Sequence, residues 1–122
     1  MHIEAFRDWC ISKPGVTEEL PFGPSTLVFK VMNKMFALCD IEHFESFNAK
    51  CDPDRALELR AVYSGIRPGY HMSKIHWNTI ETNGSVPNQL MFDLLDHSYD
   101  LVAKSLPKKD RLLLEEMTNK IR

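Results

Sequence analysis

The sequence predicts a two-layer α+β domain, an antiparallel sheet with helices on one face. Short β-branched and aromatic runs come in pairs across tight turns, the pattern of antiparallel strands. Helical stripes with recognisable ends flank and separate those runs. A chain of 122 residues and 14.1 kDa has the size of one domain with its own core.

Ile3, Phe6 and Cys10 recur at helical spacing, and Pro14-Gly15 stops that helix. Pro21-Phe22-Gly23-Pro24 is a turn cluster. Leu27 to Met32 alternates, with Leu27, Phe29 and Val31 on one face and Val28, Lys30 and Met32 on the other. A hairpin turn is predicted at Asn33-Lys34, because Asn tolerates positive φ, leading into Met35 to Cys39. Asp40 to Glu45 is an acidic loop. Ser46 to Cys51 alternates again, with Phe47, Ala49 and Cys51 inward and Lys50 outward.

A helix from about Pro53 to Ser64 carries both its end signals. Asp52 caps it, Pro53 suits its first turn and Gly65 the position past its end. Ala56, Leu59 and Tyr63 form its stripe, and Arg60 leans to the edge. Beyond Pro68-Gly69, Ile75 to Ile80 reads as a strand ending at Asn83-Gly84. Pro87 opens the longest helix, striped by Leu90, Leu94, Leu95, Tyr99 and Val102, and Pro107 breaks it. The last helix puts Leu113, Met117 and Ile121 on one face and a Glu116–Lys120 pair on the other. The order is helix, three strands, helix, one or two strands, then helices, with no domain boundary in 1–122.

Net charge is −2 and the pI about 6.2, so attraction to nucleic acid is not a property of the whole molecule. Cys10, Cys39 and Cys51 are odd in number and lack a CxxC spacing, which reads as buried free thiols in a reducing compartment. The N-terminal residues are amphipathic, unlike a secretory leader, and no apolar run is long enough to span a bilayer. The expectation is a cytoplasmic protein with no membrane partner.

The charge is uneven. Leu59 to Ile80 contains no Asp or Glu, where an even spread of the 17 acids would place about three. Within that span Arg67, Tyr70, His71, Lys74, His76 and Trp77 crowd around a Pro-Gly turn. Lys30, Lys34, Lys50, Arg60, Arg67 and Lys74 are candidate phosphate contacts, with Tyr70, His71, His76 and Trp77 as interleaved stacking or hydrogen-bonding groups. The face carrying Lys34, Arg60, Arg67 and Lys74 is the expected weak, non-specific DNA-binding surface. No Arg or Asn is placed to read base edges. The competing reading makes Tyr70 and Trp77 packing residues and the lysines ordinary solvated strand edges. Trp77 is expected to be largely buried and to anchor its strand against a helix, with Ile75 or Tyr70 nearby.

Catalytic and metal chemistry find no constellation. None of His2, His43, His71, His76 and His97 forms a His-x3-His pair, and there is no Gly-x-Ser-x-Gly and no Gly-rich phosphate loop. Cys51 precedes a helix N-terminus, where the dipole favours a thiolate, yet its place in an apolar alternation suits a core residue. No cofactor and no enzymatic activity are expected.

Val28-Phe29-Lys30-Val31 through Lys34-Met35-Phe36-Ala37-Leu38, Lys50-Cys51-Asp52-Pro53, Pro68-Gly69-Tyr70-His71-Met72-Ser73-Lys74-Ile75-His76-Trp77 and Ser98-Tyr99-Asp100-Leu101-Val102 occur in an order that resembles the MmcQ/YjbR-like family. The resemblance spans nearly the whole chain, and the Pro-Gly-Tyr…Lys…His-Trp string is its specific part. It implies a small bacterial cytoplasmic domain with the α-β(3)-α-β(2)-α arrangement of frataxin-like and secretion-chaperone folds, in a family for which a "double-wing" DNA-binding role is proposed and no firm enzymatic activity is known. The hairpin tip departs from the family in lacking a Gly. A frataxin-like fold suggests iron, but Glu4, Asp8 and the short acidic loop do not make the ridge of carboxylates that iron needs. The chaperone likeness implies the alternative role, a peptide-binding or dimerising module, with Val28, Met32, Met35 and Met72 as its adaptable surface.

Overall fold

The computed structural model describes residues 1–121. In chain order the elements are α1 (Ile3–Ile11), β1 (Val16–Glu19), β2 (Thr26–Val31), β3 (Lys34–Asp40), β4 (Ser46–Lys50), α2 (Pro53–Val62), β5 (Ile66–Pro68), β6 (Trp77–Glu81), α3 (Asn88–Lys104) and α4 (Lys108–Ile121). The six strands form one sheet in the order β1-β2-β3-β4-β6-β5, antiparallel at every step. The predicted α+β class with an antiparallel sheet holds.

One strand is additional. Val16–Glu19, for which the sequence predicts no element, pairs with β2. Two acids in four residues hide it. They are neutralised by Arg7 of α1, 2.5 Å from Glu18, and Lys30 of β2, 3.3 Å from Glu19.

The hairpin turn lies one residue earlier than predicted. Met32 and Asn33, with φ of 48° and 72°, form it, and Lys34 already pairs with Val31 as the first residue of β3. Two positive φ values are what a two-residue turn matched to strand twist requires. Past the turn, Phe29 faces Ala37 while Lys30 faces Met35, so Phe36 is the extra residue of a bulge. The bulge lets Phe36 and Ala37 both bury fully. Phe36 meets Tyr99 of α3 edge-on at 5.5 Å.

Helices cover one face of the sheet. Phe6 brings α1 down among Phe29, Phe44 and Phe47, with ring centroids 5.0–5.5 Å away. Met91, Leu94, Leu95, Ser98 and Val102 are the buried face of α3, which lies over β3 and β4. Asp52 caps α2 as predicted, its Oδ2 accepting from the Arg55 amide at 3.1 Å. Gly65 follows α2 for a different reason from the one predicted. Its φ is not positive, but a Cβ there would come within 2.2 Å of Ser85 Oγ.

On α4 the predicted stripe is rotated by one residue. Leu114 is the buried residue, whereas Leu113 and Met117 are exposed. The side chain of Ile121 lies outside the described residues, and Glu116 and Lys120 form no ion pair among the described residues. The cause is Gly15, with φ of 74°, whose missing Cβ leaves room for a single leucine methyl group.

Trp77 is also placed differently from expectation. It is buried, 8% exposed, but on the helix-free face, because Asn78 and Ile80 take the positions facing α2 and the core. Ile75 and Tyr70 are themselves exposed. β6 starts at Trp77 and not at Ile75, since the Trp77 amide bonds back to Ser73 O at 2.9 Å and closes a turn.

Candidate functional site

The helix-free face is the one surface where the chemistry-bearing residues gather. Pairing across the six strands aligns Glu19, Val28, Leu38, Asn48, Thr79 and Arg67 in one row. Residues two positions away along each strand share this face, which adds Lys30 on β2, Lys50 on β4 and Trp77 on β6.

The β5–β6 loop, residues 69–76, folds over the row and is tied down from both sides. From the open face, the Tyr70 amide donates to Thr79 Oγ1 at 3.0 Å, Thr79 Oγ1 donates to Asn48 Oδ1 at 2.6 Å, and Asn48 Nδ2 donates to Tyr70 O at 3.4 Å. From the helix side, Arg60 bonds the carbonyls of Lys74 and Trp77 as well as Asn78 Oδ1. The Cys51 amide holds His76 O at 2.8 Å. Gly69 is required where the loop crosses the strand, since a Cβ there would sit 2.7 Å from Trp77 Cβ.

The loop therefore presents its side chains outward on a fixed backbone. Tyr70 is 70% exposed, and its ring lies 3.9 Å from that of His71, which holds a φ of 58°. Lys74 and His76 are exposed beside them.

The ten predicted residues do not form one basic face. Arg60 is committed to internal hydrogen bonds beneath the loop. Lys34 shares the face of its partner Val31, on the helix side of the hairpin tip. Arg67 pairs with Glu81 at 2.5 Å, and Lys30 pairs with Glu19. The expected surface of Lys34, Arg60, Arg67 and Lys74 is thus split between two faces. Lys30, Lys50, Tyr70, His71, Lys74, His76 and Trp77 do come together around the open face and its loop. Lys50 and Lys74 form no ion pair with the described residues.

Asn48 and Thr79 were not singled out from sequence. Their signal was the outward phase of their strands, which they share with Lys50 and Trp77.

The expected adaptable strand surface is not there as such. Val28 is fully buried, and Met32 packs toward Gly15, within 3.3 Å of where a Cβ would stand. An apolar groove of about 510 Å³ lies elsewhere, between α1 and the β1 edge, lined by Ile3, Leu20, Leu27 and Ile41 and rimmed by Glu4, Arg7, Glu18 and Glu19.

Burial decides the state of the thiols. The Cys51 thiol is pushed up to about 11 by burial, which outweighs the opposing charges of Arg55 and Arg60. Burial raises Cys39 to about 12 and Cys10 further still. All three are free and buried. No helix is long and apolar enough to cross a membrane, among the described residues.

The YjbR family model matches residues 11–101, which include the whole sheet and the loop over it. The chain belongs to the YjbR family. The uncharacterised protein YjbR of Escherichia coli K12 is 30% identical over 118 residues, 96% of this chain and all of that protein. The uncharacterised protein YbdF of Escherichia coli O157:H7 is 37% identical over 92 residues, 75% of each chain. The YjbR fold seen here superposes on Deinococcus radiodurans protein DR2400, described by a DUF419 domain, with a TM-score of 0.85 and 40% identity, covering 93% of this chain and 87% of that one. A protein from Pseudomonas syringae gives a TM-score of 0.70 at 27% identity, covering 83% and 98%. The YjbR likeness predicted from the Pro-Gly-Tyr…His-Trp string is therefore correct.

Proposed function

We propose that this YjbR-family protein is a cytoplasmic, non-catalytic module that binds DNA weakly and without sequence specificity, through the open sheet face and the loop over it. One observation carries the reading: the Tyr70–His71 pair stands exposed on a loop whose backbone is fastened at Thr79, Asn48 and Arg60, beside the unpaired Lys50 and Lys74. An aromatic side chain 70% exposed on a fixed backbone is arranged for contact rather than for packing. The cations nearby serve phosphate, and the lack of a free helix on this face fits binding without base-edge readout.

The ion pairs of Lys30 and Arg67 leave about two or three cations for phosphate. The slope of log affinity against log salt should then be about −2 to −3 on duplex DNA, at ~0.9 per contact. Affinity should fall in the ~10⁻⁴–10⁻⁶ M range of non-specific binders. Fluorescence anisotropy at two salt concentrations tests this. Lys50→Ala with Lys74→Ala should weaken binding to every sequence alike and flatten the slope, with the melting temperature unchanged. Salt-independent or absent binding refutes the reading.

The groove between α1 and β1 supports a second reading, a peptide-binding or dimerising module. Its apolar lining and mainly acidic rim suit a basic amphipathic segment. Binding of such a peptide, abolished by Leu20→Asp and indifferent to Lys50→Ala, would favour it over DNA.

A further inference from the structure

Beneath Tyr70 the open face is not flat. A pocket of about 180 Å³ lies there, lined among others by Leu38, Asp40, Asn48, Arg67, Tyr70 and Thr79. That is below the ~300 Å³ at which pockets begin to take drug-sized ligands, so it has room for one planar ring system and not for a whole nucleotide.

Its polar groups are set in advance. Thr79 Oγ1 accepts from the Tyr70 amide and gives its one proton to Asn48 Oδ1. That bond fixes the Asn48 amide, one of whose N–H groups goes to Tyr70 O. The second N–H has no partner among the described residues, and Asn48 lines the pocket. Leu38 supplies apolar surface, and Tyr70 lines the pocket on a backbone fixed by Thr79 and Asn48, its ring 3.9 Å from that of His71.

Charge gives the pocket a direction. Asp40 lines it and repels phosphate, while Arg67 is already paired with Glu81. Lys50, which has no ion pair among the described residues, is two residues along β4 from Asn48 and so ~7 Å away. A ring at Asn48 and a phosphate at Lys50 are the base and the neighbouring linkage of one extended strand. Bases inside a duplex are stacked on each other and cannot present a face to Tyr70.

We infer that this pocket takes one unpaired base of single-stranded DNA, stacked on Tyr70 and hydrogen-bonded by Asn48, with the adjoining phosphate at Lys50. The inference rests on the DNA-binding reading above and adds to it a preference for single strands.

The test compares a labelled all-thymine single strand with a mixed-sequence duplex of equal length, at two salt concentrations, by anisotropy. The parent protein should bind the single strand about tenfold or more tightly than the duplex, the lower range of one base–aromatic stack. Tyr70→Ala should weaken single-strand binding far more than duplex binding and so remove that preference, and Tyr70→Phe should keep it. Because the Tyr70 ring is exposed, loss of folding does not confound the result, and a melting curve checks it. Equal binding of both forms by the parent, or a Tyr70→Ala loss shared equally by both, overturns the base pocket and leaves the DNA-binding reading standing. Salt-dependent binding of neither overturns both.

Discussion

Arg60 Nε on α2 donates to Asn78 Oδ1 on β6 across 2.7 Å, and the same guanidinium bonds the carbonyls of Lys74 and Trp77. One side chain from the helix layer thus fixes a buried strand amide and the end of the loop that carries Tyr70. Asn78 is 1% exposed, so losing its partner leaves a buried acceptor unsatisfied. Arg60→Ala should lower stability by about 2–3 kcal/mol. Lys at this position should restore little of it, since an ammonium cannot fork to three acceptors in this geometry. Chemical denaturation measures the loss, and limited proteolysis should show cleavage moving into residues 69–76. Unchanged stability with an intact loop would contradict the role.

Ser98 joins α3 to two strands at once. Its hydroxyl donates to Phe36 O at 2.5 Å and accepts from the Lys50 amide at 2.8 Å. Phe36 is the bulged residue, whose carbonyl leaves the regular ladder, so the serine satisfies the irregularity. Ser98→Ala should cost about 1–3 kcal/mol, the penalty for stranding a buried donor and a buried acceptor. Amide hydrogen exchange at Lys50 should speed up more than at Asn48.

His97 is held neutral by its place in the fold. Its Nε2 accepts from the Asp52 amide at 3.1 Å, next to the start of α2. Burial, and then Arg55, lower its pKa below the ordinary 6.5, while Asp52 and Asp100 oppose the shift. The unfolded chain therefore takes up this proton at a higher pH than the folded one. Stability from this group is complete above about 6.5, falls as pH drops toward the lowered folded value, and levels off below it. Melting curves across that window should show the slope in the parent protein. His97→Gln, which keeps an acceptor but does not titrate, should flatten it.

Gly65 and Ser85 are packed against each other. A Cβ on Gly65 would lie 2.2 Å from Ser85 Oγ and 3.1 Å from Val86 Cγ2. Gly65→Ala should destabilise by about 1–3 kcal/mol, as overpacking does. Adding Ser85→Ala removes the closest atom and should recover part of the loss, which a double-mutant cycle reads as coupling between the two sites. Additive effects would rule out the steric cause.

Much of the fold was legible because its signals are local. Asp52 and Pro53 announce α2 through cap chemistry, Pro87 opens α3, and the alternation from Leu27 to Val31 assigns faces before any partner is known. The strand Val16–Glu19 was not legible, because Glu18 and Glu19 have no reason to be in a sheet until Arg7 and Lys30 stand next to them. The same holds for α4. Three apolar positions at helical spacing predicted a stripe through Leu113, and only the gap at Gly15 selects Leu114.

For the candidate site, residue order alone points to one segment: a span free of acids, rich in aromatics and imidazoles, broken by a Pro-Gly turn. Residue type and spacing settle local charge and turn chemistry, which need no tertiary partner. Only the tertiary structure decided which of those residues remain free. Arg60 is consumed by carbonyls from a segment 14 to 17 residues away, Arg67 and Lys30 are neutralised by Glu81 and Glu19, and Trp77 is buried while Tyr70 is not. Charge pairing and burial depend on which strands lie side by side, and the register that sets them is a property of the assembled sheet.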